Sequence, residues 1–222
     1  MKRRLDISEF TRLQRELGKK LILTDYFGKI ETVAGADVSF SKDGRWGCAG
    51  VMVFSLRGLE EIERGYSAGK IEFPYIPGFL SFRESPLLLE VFKRLKVRPD
   101  VVIFDGQGIA HPRRFGLASH MGILLGIPSI GCAKSHLIGN WNEPCNRKGC
   151  FEYLYDPKDG SIIGAVVRTK DLVKPLFVSQ GHMVSLETAI NLVLKCTDGF
   201  RIPKPTRMAH TYTRMLIKEL LR

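Results

Sequence analysis

The sequence predicts one α/β domain, residues 1–222, built on a mixed sheet that combines an antiparallel meander with parallel strands and is flanked by helices. Two patterns predict this class. Three short β-rich runs near the N-terminus are separated by turn sequences. The middle of the chain then alternates strand and helix patterns in the order β-α-β-α-β, which favours parallel strands added to the meander.

The N-terminal third predicts a helix followed by the meander. Apolar residues recur at helical spacing, with Asp6 or Ser8 able to cap the helix; they are Ile7, Phe10, Leu13, Leu17 and Leu21. "SKDGR" and "RG" are typical of hairpin turns. They separate three predicted strands, "ETVAGADVSF" (31–40), "WGCAGVMVFSL" (46–56) and "LEEIERGYS" (59–67).

In the middle of the chain, Ser85 and Pro86 form a cap and first-turn pair for a helix through "LLLEVFKRL". "RPDVVIFDGQG" is a continuous apolar run of the kind found in strands buried on both faces. A helix ("RFGLASHMGILLG") and a short strand ("IPSIGCAKS") follow. The remaining elements are a hairpin and an edge strand, from "FEYLYDP", "SIIGAVVRTK" and "PLFVSQG", and two helices, "SLETAINLVLKC" and "PTRMAHTYTRMLIKELL".

The charge balance indicates a polyanionic partner. Lys and Arg number 34 against 23 Asp and Glu, for a formal charge of +11. Nucleic acid is the commonest polyanion that such a surface binds, although a generally basic proteome or plain solubility is the alternative. No apolar run approaches the roughly 18 residues of a membrane span. The basic N-terminus is followed by an acidic amphipathic segment, so we expect neither a signal peptide nor a membrane partner.

The cysteines indicate a reducing compartment. There are five of them, with no C-x-x-C pair: Cys48, Cys132, Cys145, Cys150 and Cys196. A disulfide framework or a zinc ribbon does not fit this set, so we predict a cytoplasmic location. Cys145 and Cys150 flank "NRKG", and we expect them to stay unpaired, with a loop disulfide as the alternative.

Several familiar chemistries lack their motifs. The chain has no G-x-x-x-x-G-K-[ST], no dinucleotide G-x-G-x-x-G and no G-x-S-x-G, and "DGQGIAHP" lacks the lysine of a phosphate-binding loop. None of the histidines shows zinc-binding spacing; they are His111, His120, His136, His182 and His210.

Three carboxylates remain as candidates for chemistry. Asp37 interrupts "TVAGADVSF", Asp105 ends "VVIFDGQG", and Glu84 is predicted to lie at a helix start. Ligands gather at the carboxyl ends of parallel strands, and clustered carboxylates are the hard ligands that Mg²⁺ prefers. In a basic protein this pattern suggests phosphodiester chemistry. The alternatives are a turn-forming Asp105, a satisfied buried Asp37 and a solvated ion pair between Glu84 and Arg83.

Six motifs in order resemble the Endonuclease V (deoxyinosine 3′-endonuclease) family from about residue 5 to the C-terminus: "VAGADVSF", "FPYIPGFLSFRESP", "VVIFDGQGIAHPRRFGLASHMG", "PSIGCAKS", "PLFVSQGH" and "RIPKPTRMAHTYT". The resemblance implies a ribonuclease-H-like fold and dependence on Mg²⁺, with Mn²⁺ able to substitute. It implies nicking of single- or double-stranded DNA at the second phosphodiester bond 3′ to deoxyinosine, leaving a 3′-hydroxyl and a 5′-phosphate, in DNA repair.

The resemblance also implies roles for individual residues. Asp37, Glu84 and Asp105 match the catalytic metal ligands of the family. His210 matches a catalytic histidine near the metal, and Lys134 a lysine that reaches phosphate near the scissile bond. "PYIP" matches a wedge that fills the gap left by the displaced base; its residues are Pro74, Tyr75, Ile76 and Pro77.

The wedge has a physical rationale in its two prolines. They restrict the unfolded backbone, so Tyr75 and Ile76 can enter a base stack without folding away. Residues in nearby loops are expected to form the pocket for the flipped base through backbone amides; they are Gly78, Leu80, Gly106 and Gly116. His111 is expected among the residues that bind the substrate DNA. A tight wall would reject the 2-amino group of guanine, and a backbone N–H donor would reject adenine.

Alternatives remain within and beyond this family. Family members that act on inosine-containing RNA differ through contacts to the 2′-hydroxyl, which the sequence does not reveal. A non-catalytic nucleic-acid-binding relative should have lost a carboxylate, whereas all three positions are filled. A nucleotide-phosphate hydrolase would not need the wedge. We expect a monomer and assign no role to the basic loop 140–150.

Overall fold

Eight strands form one mixed sheet in the computed structural model, which describes residues 6–220. Their spatial order is β3-β2-β1-β4-β5-β8-β7-β6. The strands are β1 (Thr32–Phe40), β2 (Trp46–Ser55), β3 (Glu61–Lys70), β4 (Val101–Phe104), β5 (Ser129–Ala133), β6 (Phe151–Tyr155), β7 (Ile162–Val167) and β8 (Leu176–His182). The described residues also form five helices: α1 (Ile7–Gly18), α2 (Leu80–Phe92), α3 (Leu117–Leu125), α4 (Leu186–Lys195) and α5 (Lys204–Leu220).

The pairing pattern confirms the predicted fold class. Strands β1, β2 and β3 are an antiparallel meander, and β1, β4 and β5 are parallel. The β6–β7 hairpin is antiparallel, and β8 lies between β5 and β7 so that β6 is the edge strand. The predicted hairpin is confirmed, whereas the edge position predicted for "PLFVSQG" is wrong, because this strand, β8, is inserted between β5 and β7 and leaves β6 at the edge. All seven of its residues are buried, as expected for a strand paired on both sides.

Apolar residues cover both faces of the sheet. In β4, Val101 and Ile103 pack in the layer beneath α4 and α5, whereas Val102 and Phe104 pack in the layer beneath α2 and α3. All four are fully buried. A strand covered by helices on both faces reads as a continuous apolar run, which is why "VVIF" carries no alternation.

Helix α1 has its predicted start. Asp6 caps it and accepts a hydrogen bond from the amide of Ser8 at 2.9 Å. The helix ends at Gly18, so Leu21 lies beyond it. Residues 1–5, which belong to the basic N-terminus, and residues 221–222, which include Leu221 of the predicted last helix, lie outside the described part of the chain.

Helix α2 corrects one prediction. It begins at Leu80, so Ser85 and Pro86 lie inside the helix and do not start it. Aromatic packing accounts for the earlier start, because the Phe82 ring lies 4.9 Å from that of Phe10 and 5.8 Å from that of Phe73. These tertiary contacts stabilise the first turn, which has no side-chain cap. Glu84 consequently lies in the second turn of α2.

The loop at 140–150 corrects the prediction that its two cysteines are unpaired. Cys145 and Cys150 form a disulfide, whereas we expected both thiols to be free. The buried Arg168 accounts for their approach, because its Nε donates to the Cys145 carbonyl at 3.1 Å and its amide to the Cys150 carbonyl at 2.8 Å. Three further cysteines are free and buried: Cys48, Cys132 and Cys196. No helix of the described residues is long and apolar enough to cross a membrane.

Candidate active site

Two aspartates lie side by side where the parallel pairing of β1 with β4 ends. Ala36 of β1 pairs with Phe104 of β4. Asp37 and Asp105, which follow these two residues in the sequence, therefore lie next to each other at the end of this pairing. Their side chains are only 10% and 15% exposed. Burying two carboxylates close together costs free energy unless neighbouring groups hydrogen-bond to them or neutralise their charge. The residues around Asp37 and Asp105 must therefore provide such partners.

Helix α5 approaches this edge closely because two strand residues are glycines. A Cβ on Gly35 would lie 2.0 Å from the Pro205 carbonyl carbon, and one on Gly50 would lie 2.7 Å from the Thr213 side chain. Neither position has room for a side chain. The glycines therefore allow α5 to rest directly on β1 and β2, with His210 on the face that meets Asp37.

The α5 side chains hydrogen-bond to Asp37. Its Oδ2 lies 3.2 Å from His210 Nδ1 and accepts the hydroxyl hydrogen of Thr213 at 2.6 Å. The Ser39 Oγ lies 2.9 Å from Thr213 Oγ1. Sequence reasoning did not find Thr213; its signal is the three-residue spacing from His210, which puts both on one face of a helix.

Asp37, Asp105 and His210 form a group able to hold a metal ion. Each offers one ligand atom, and these atoms all lie within 4.8 Å of one another. Glu84, predicted as the third carboxylate ligand, is outside that trio. It nevertheless interacts with the two aspartates: burial, followed by the charges of Asp37 and Asp105, raises the pKa of the Glu84 carboxyl well above its usual range. Such a cluster of carboxylate oxygens is the type of ligand set that hard divalent cations prefer.

Lys134 already compensates part of this negative charge. It follows directly after β5, and its ammonium group forms a salt bridge with Asp105 Oδ2. Strand β5 is parallel to β4, so both strands end at the same edge of the sheet. The side chain remains 37% exposed, which leaves the charge available to an incoming anion.

The predicted wedge is a protruding loop between β3 and α2. Tyr75 is 70% exposed at its tip. Behind it, Gly78 adopts a φ of +80°, a conformation that favours glycine, and its carbonyl accepts three hydrogen bonds. The donors are Gln14 Nε2 at 3.0 Å, His111 Nε2 at 3.1 Å and Arg113 Nη2 at 2.6 Å. These bonds fix the base of the loop while its tip stays free.

Sequence reasoning missed two of those donors. Gln14 is fully buried on α1, and its Oε1 accepts a hydrogen bond from Arg113 Nε. Arg113 also lies over the Phe79 ring, 4.2 Å from its centroid. The sequence holds no signal for Gln14, because only the structure shows that it is buried and therefore needs a partner.

His111 is neutral in this network. Burial, then the neighbouring Arg113 charge, lowers the pKa of His111 to about 4. Its Nδ1 accepts the Arg113 amide hydrogen at 3.2 Å, so Nε2 carries the proton that it donates to Gly78. The ring thereby connects the loop after β4 to the base of the wedge.

A cavity of about 150 Å³ opens between the wedge and the loop after β4. It brings together nearly all of the residues predicted for the wedge, the base pocket and DNA binding; Pro74 of the wedge is the one that does not line it. The lining includes Tyr75, Ile76, Pro77, Gly78, Leu80, Gly106, His111 and Gly116. The amides of Gly106 and Gly116 already donate to Phe104 and Gly108, at 2.9 Å each.

Two buried polar atoms beside the cavity lack partners. Neither Ser81 Oγ nor Gln107 Oε1 has a hydrogen-bond partner among the residues that the structure describes. Both residues line the cavity. An unpartnered buried acceptor or hydroxyl carries a free-energy penalty that a ligand can relieve.

The mixed sheet, with an acidic cluster where its parallel strands end, defines an α/β nuclease. More specifically, the family model described as Endonuclease V matches residues 15–211, and the chain belongs to that family. The Endonuclease V of Dictyoglomus turgidum is 51% identical over 213 residues, covering 96% of this chain and 92% of that protein. The Kosmotoga olearia protein of the same name is 48% identical over 217 residues, with coverages of 98% and 95%.

Solved structures agree with this assignment. The crystal structure of Endonuclease V from Streptomyces avermitilis superposes with a TM-score of 0.93 at 35% identity, covering 99% of this chain and 96% of that one. Ciona intestinalis Endonuclease V, solved with a 24mer DNA containing an inosine followed by a ribo-adenosine, gives a TM-score of 0.85 at 30% identity, with coverages of 96% and 98%. The three carboxylates and the wedge thus belong to an endonuclease.

Proposed function

We propose that the protein recognises deoxyinosine in DNA and, with a divalent metal, hydrolyses the second phosphodiester bond 3′ to it, leaving a 3′-hydroxyl and a 5′-phosphate during DNA repair. One observation carries the proposal. The cavity beneath the wedge is lined by Gly106, the residue next to Asp105 of the acidic cluster. A base held there keeps its own strand beside the carboxylates, and the inosine-containing DNA bound by the Ciona relative supports this choice of base.

The metal would be Mg²⁺, with Mn²⁺ able to substitute, held by Asp37, Asp105 and Glu84 with His210 nearby. When bound, it would supply charge neutralisation and activation of water for attack on phosphorus. The raised pKa of Glu84 supports this assignment, because it results from burial and then from the charges of Asp37 and Asp105, and a cation bound among the carboxylates would offset both effects. His210 would hold or orient a water molecule through the nitrogen that does not face Asp37.

Lys134 would bind the phosphate at the cleavage site. Its ammonium group, now paired with Asp105, is half-exposed and lies beside the cluster. A cation there would stabilise the negative charge that develops on the phosphoryl oxygens, an effect of the kind that costs about 10²–10³ in rate when one donor is removed.

The cavity offers groups that match hypoxanthine. Because the first amides of a helix lack intrahelical partners, those of Leu80 and Ser81 at the start of α2 can donate to O6. Gln107 Oε1 can accept the N1 hydrogen, which hypoxanthine has and adenine lacks. Sites built to hydrogen-bond a substrate reject analogues that leave the buried group unpaired. The wedge would meanwhile fill the gap that the flipped base leaves in the base stack.

RNA containing inosine is a second candidate. The Ciona complex holds a ribo-adenosine directly after the inosine, so that relative accommodates a 2′-hydroxyl at this position. The same cavity and carboxylates would serve both substrates in this chain. A monomeric state and a cytoplasmic location complete the proposal.

The deciding experiment uses 5′-labelled oligonucleotides carrying one deoxyinosine, with Mg²⁺ or with EDTA, and an adenine control of otherwise identical sequence. We expect one product in Mg²⁺, ending one nucleotide 3′ to the inosine with a 3′-hydroxyl, and none in EDTA. A parallel series with inosine in RNA measures the preference between the two. Equal cleavage of the adenine control, or cleavage in EDTA, would contradict the proposal.

A further inference from the structure

A second, larger cavity lies across the acidic cluster from the base pocket. It has a volume of about 1080 Å³, and the β1–β2 hairpin and the C-terminal half of α5 form its walls. His210 lines it, so it is continuous with the cluster. In the sheet the order is β2-β1-β4-β5, which puts this groove on the β1–β2 side of Asp37 and the base pocket on the β4–β5 side.

Aromatic rings lie on the hairpin wall of the groove. Trp46 is 41% exposed, so part of its ring surface is open to a ligand. The Lys70 ammonium lies 5.8 Å from the centre of its ring. Phe40 also lines the groove, and the Arg83 guanidinium lies 4.5 Å from the centre of its ring. Exposed aromatic faces beside cations are the usual platform for stacking single-stranded bases.

The groove is also positively charged. Lys42, Arg214 and Lys218 line it, are exposed, and make no salt bridge to a residue that the structure describes. The acidic residue on the lining, Asp43, pairs with Arg45 at 2.6 Å. The remaining charge complements a phosphate backbone.

We propose that this groove binds the nucleotides on the 3′ side of the scissile bond, the segment that leaves with the 5′-phosphate. The inference rests on the proposed function. With inosine in its pocket and the bond to be cut at the cluster, the strand must continue past His210, and the groove begins there. Trp46 stacks on a base of this segment, while Arg214 and Lys218 bind its phosphates. At about 1080 Å³ the groove reaches the upper size of ordinary ligand pockets, which is ample for a nucleotide.

The test compares two single-stranded deoxyinosine oligonucleotides of equal length. One carries eight nucleotides beyond the scissile bond and the other a single nucleotide, with the missing length moved to the 5′ side. Binding is measured in Ca²⁺ and cleavage under single turnover in Mg²⁺, for wild type and Trp46→Ala. Tyr153→Ala, an equally exposed aromatic on β6 at the opposite edge of the sheet, is the matched control.

We expect Trp46→Ala to weaken binding of the long-3′ substrate by about tenfold or more, the size of one lost stacking contact, and to leave the short-3′ substrate unchanged. Tyr153→Ala should match wild type on both. The double charge reversal Arg214→Glu with Lys218→Glu, which changes only exposed side chains, should give the same selectivity if Trp46→Ala does not fold.

Equal losses on the two substrates, or no loss on either, would overturn the inference; the second result would leave the groove to another partner, such as a protein. The proposed function fails separately, when wild type cuts neither oligonucleotide in Mg²⁺.

Discussion

Thr213 donates its hydroxyl hydrogen to Asp37, with Oγ1 and Oδ2 2.6 Å apart. The threonine is fully buried and lies 2.9 Å from Ser39 Oγ, so a chain of two hydroxyls supports the carboxylate from behind. One oxygen of Asp37 is thereby held in place, as an outer partner does for a metal ligand.

Replacing this hydroxyl should weaken the metal site. Thr213→Val keeps the side-chain shape and removes the donor, and we expect a loss of about 10–100-fold in metal affinity or activity. Thr213→Ser restores the donor and should recover most of it. Cleavage rate as a function of Mg²⁺ concentration is the measurement. A Thr213→Val enzyme with the wild-type metal dependence would show that the bond has no positioning role.

Removing either aspartate should separate binding from cleavage. In Asp37→Ala or Asp105→Ala we expect cleavage to fall below detection, because the metal loses a principal ligand. Binding to deoxyinosine DNA should persist or improve, since a negative charge beside phosphate is lost and, for Asp105, Lys134 is released from its salt bridge. Gel-shift affinity and single-turnover rates distinguish the two. A variant that nicks at nearly the wild-type rate would remove that aspartate from the metal site.

The neutral His111 should make folding sensitive to acid. Its pKa is about 4 in the folded protein against 6.5 as the reference, so between these values the unfolded chain binds more protons. Stability is therefore lost as the pH falls from about 6.5 towards 4, by on the order of 2 kcal/mol from this group at pH 5. Urea unfolding at pH 7 and pH 5 measures it.

His111→Gln is the matched variant, since it can still donate to Gly78 but does not titrate. We expect it to lose less stability on acidification than wild type. Some acid sensitivity should remain, because burial also lowers the pKa of His120 to about 4. An unchanged pH dependence in the variant would mean that His111 does not contribute.

The wedge should matter more for duplex than for single strands. Tyr75→Ala removes an exposed aromatic surface worth about 1–3 kcal/mol of stacking and leaves the acidic cluster intact. Affinity for a deoxyinosine duplex should fall about ten- to a hundredfold, with a smaller change in the maximal rate. A single strand has less stacking to break and should lose less. Single-turnover cleavage over a protein titration measures both. Equal losses would indicate a simple base contact.

The sequence by itself predicted the features that depend on local order. The meander, the parallel strands and the buried "VVIF" strand follow from apolar periodicity and turn residues, whose effects act within a few positions. The motif order identified the family. Each of the motifs and elements is encoded in a contiguous stretch of chain.

Only the tertiary structure decided the contacts between distant stretches. Thr213 supports Asp37 across 176 positions, and Gln14 reaches the Gly78 carbonyl across 64. Helix α2 starts early because Phe82 packs on Phe10, and Cys145 meets Cys150 because Arg168 binds both carbonyls. Such partners are selected by burial, since a buried polar group must find whichever donor or acceptor the fold brings to it, and the periodicity of one segment does not identify a partner on another.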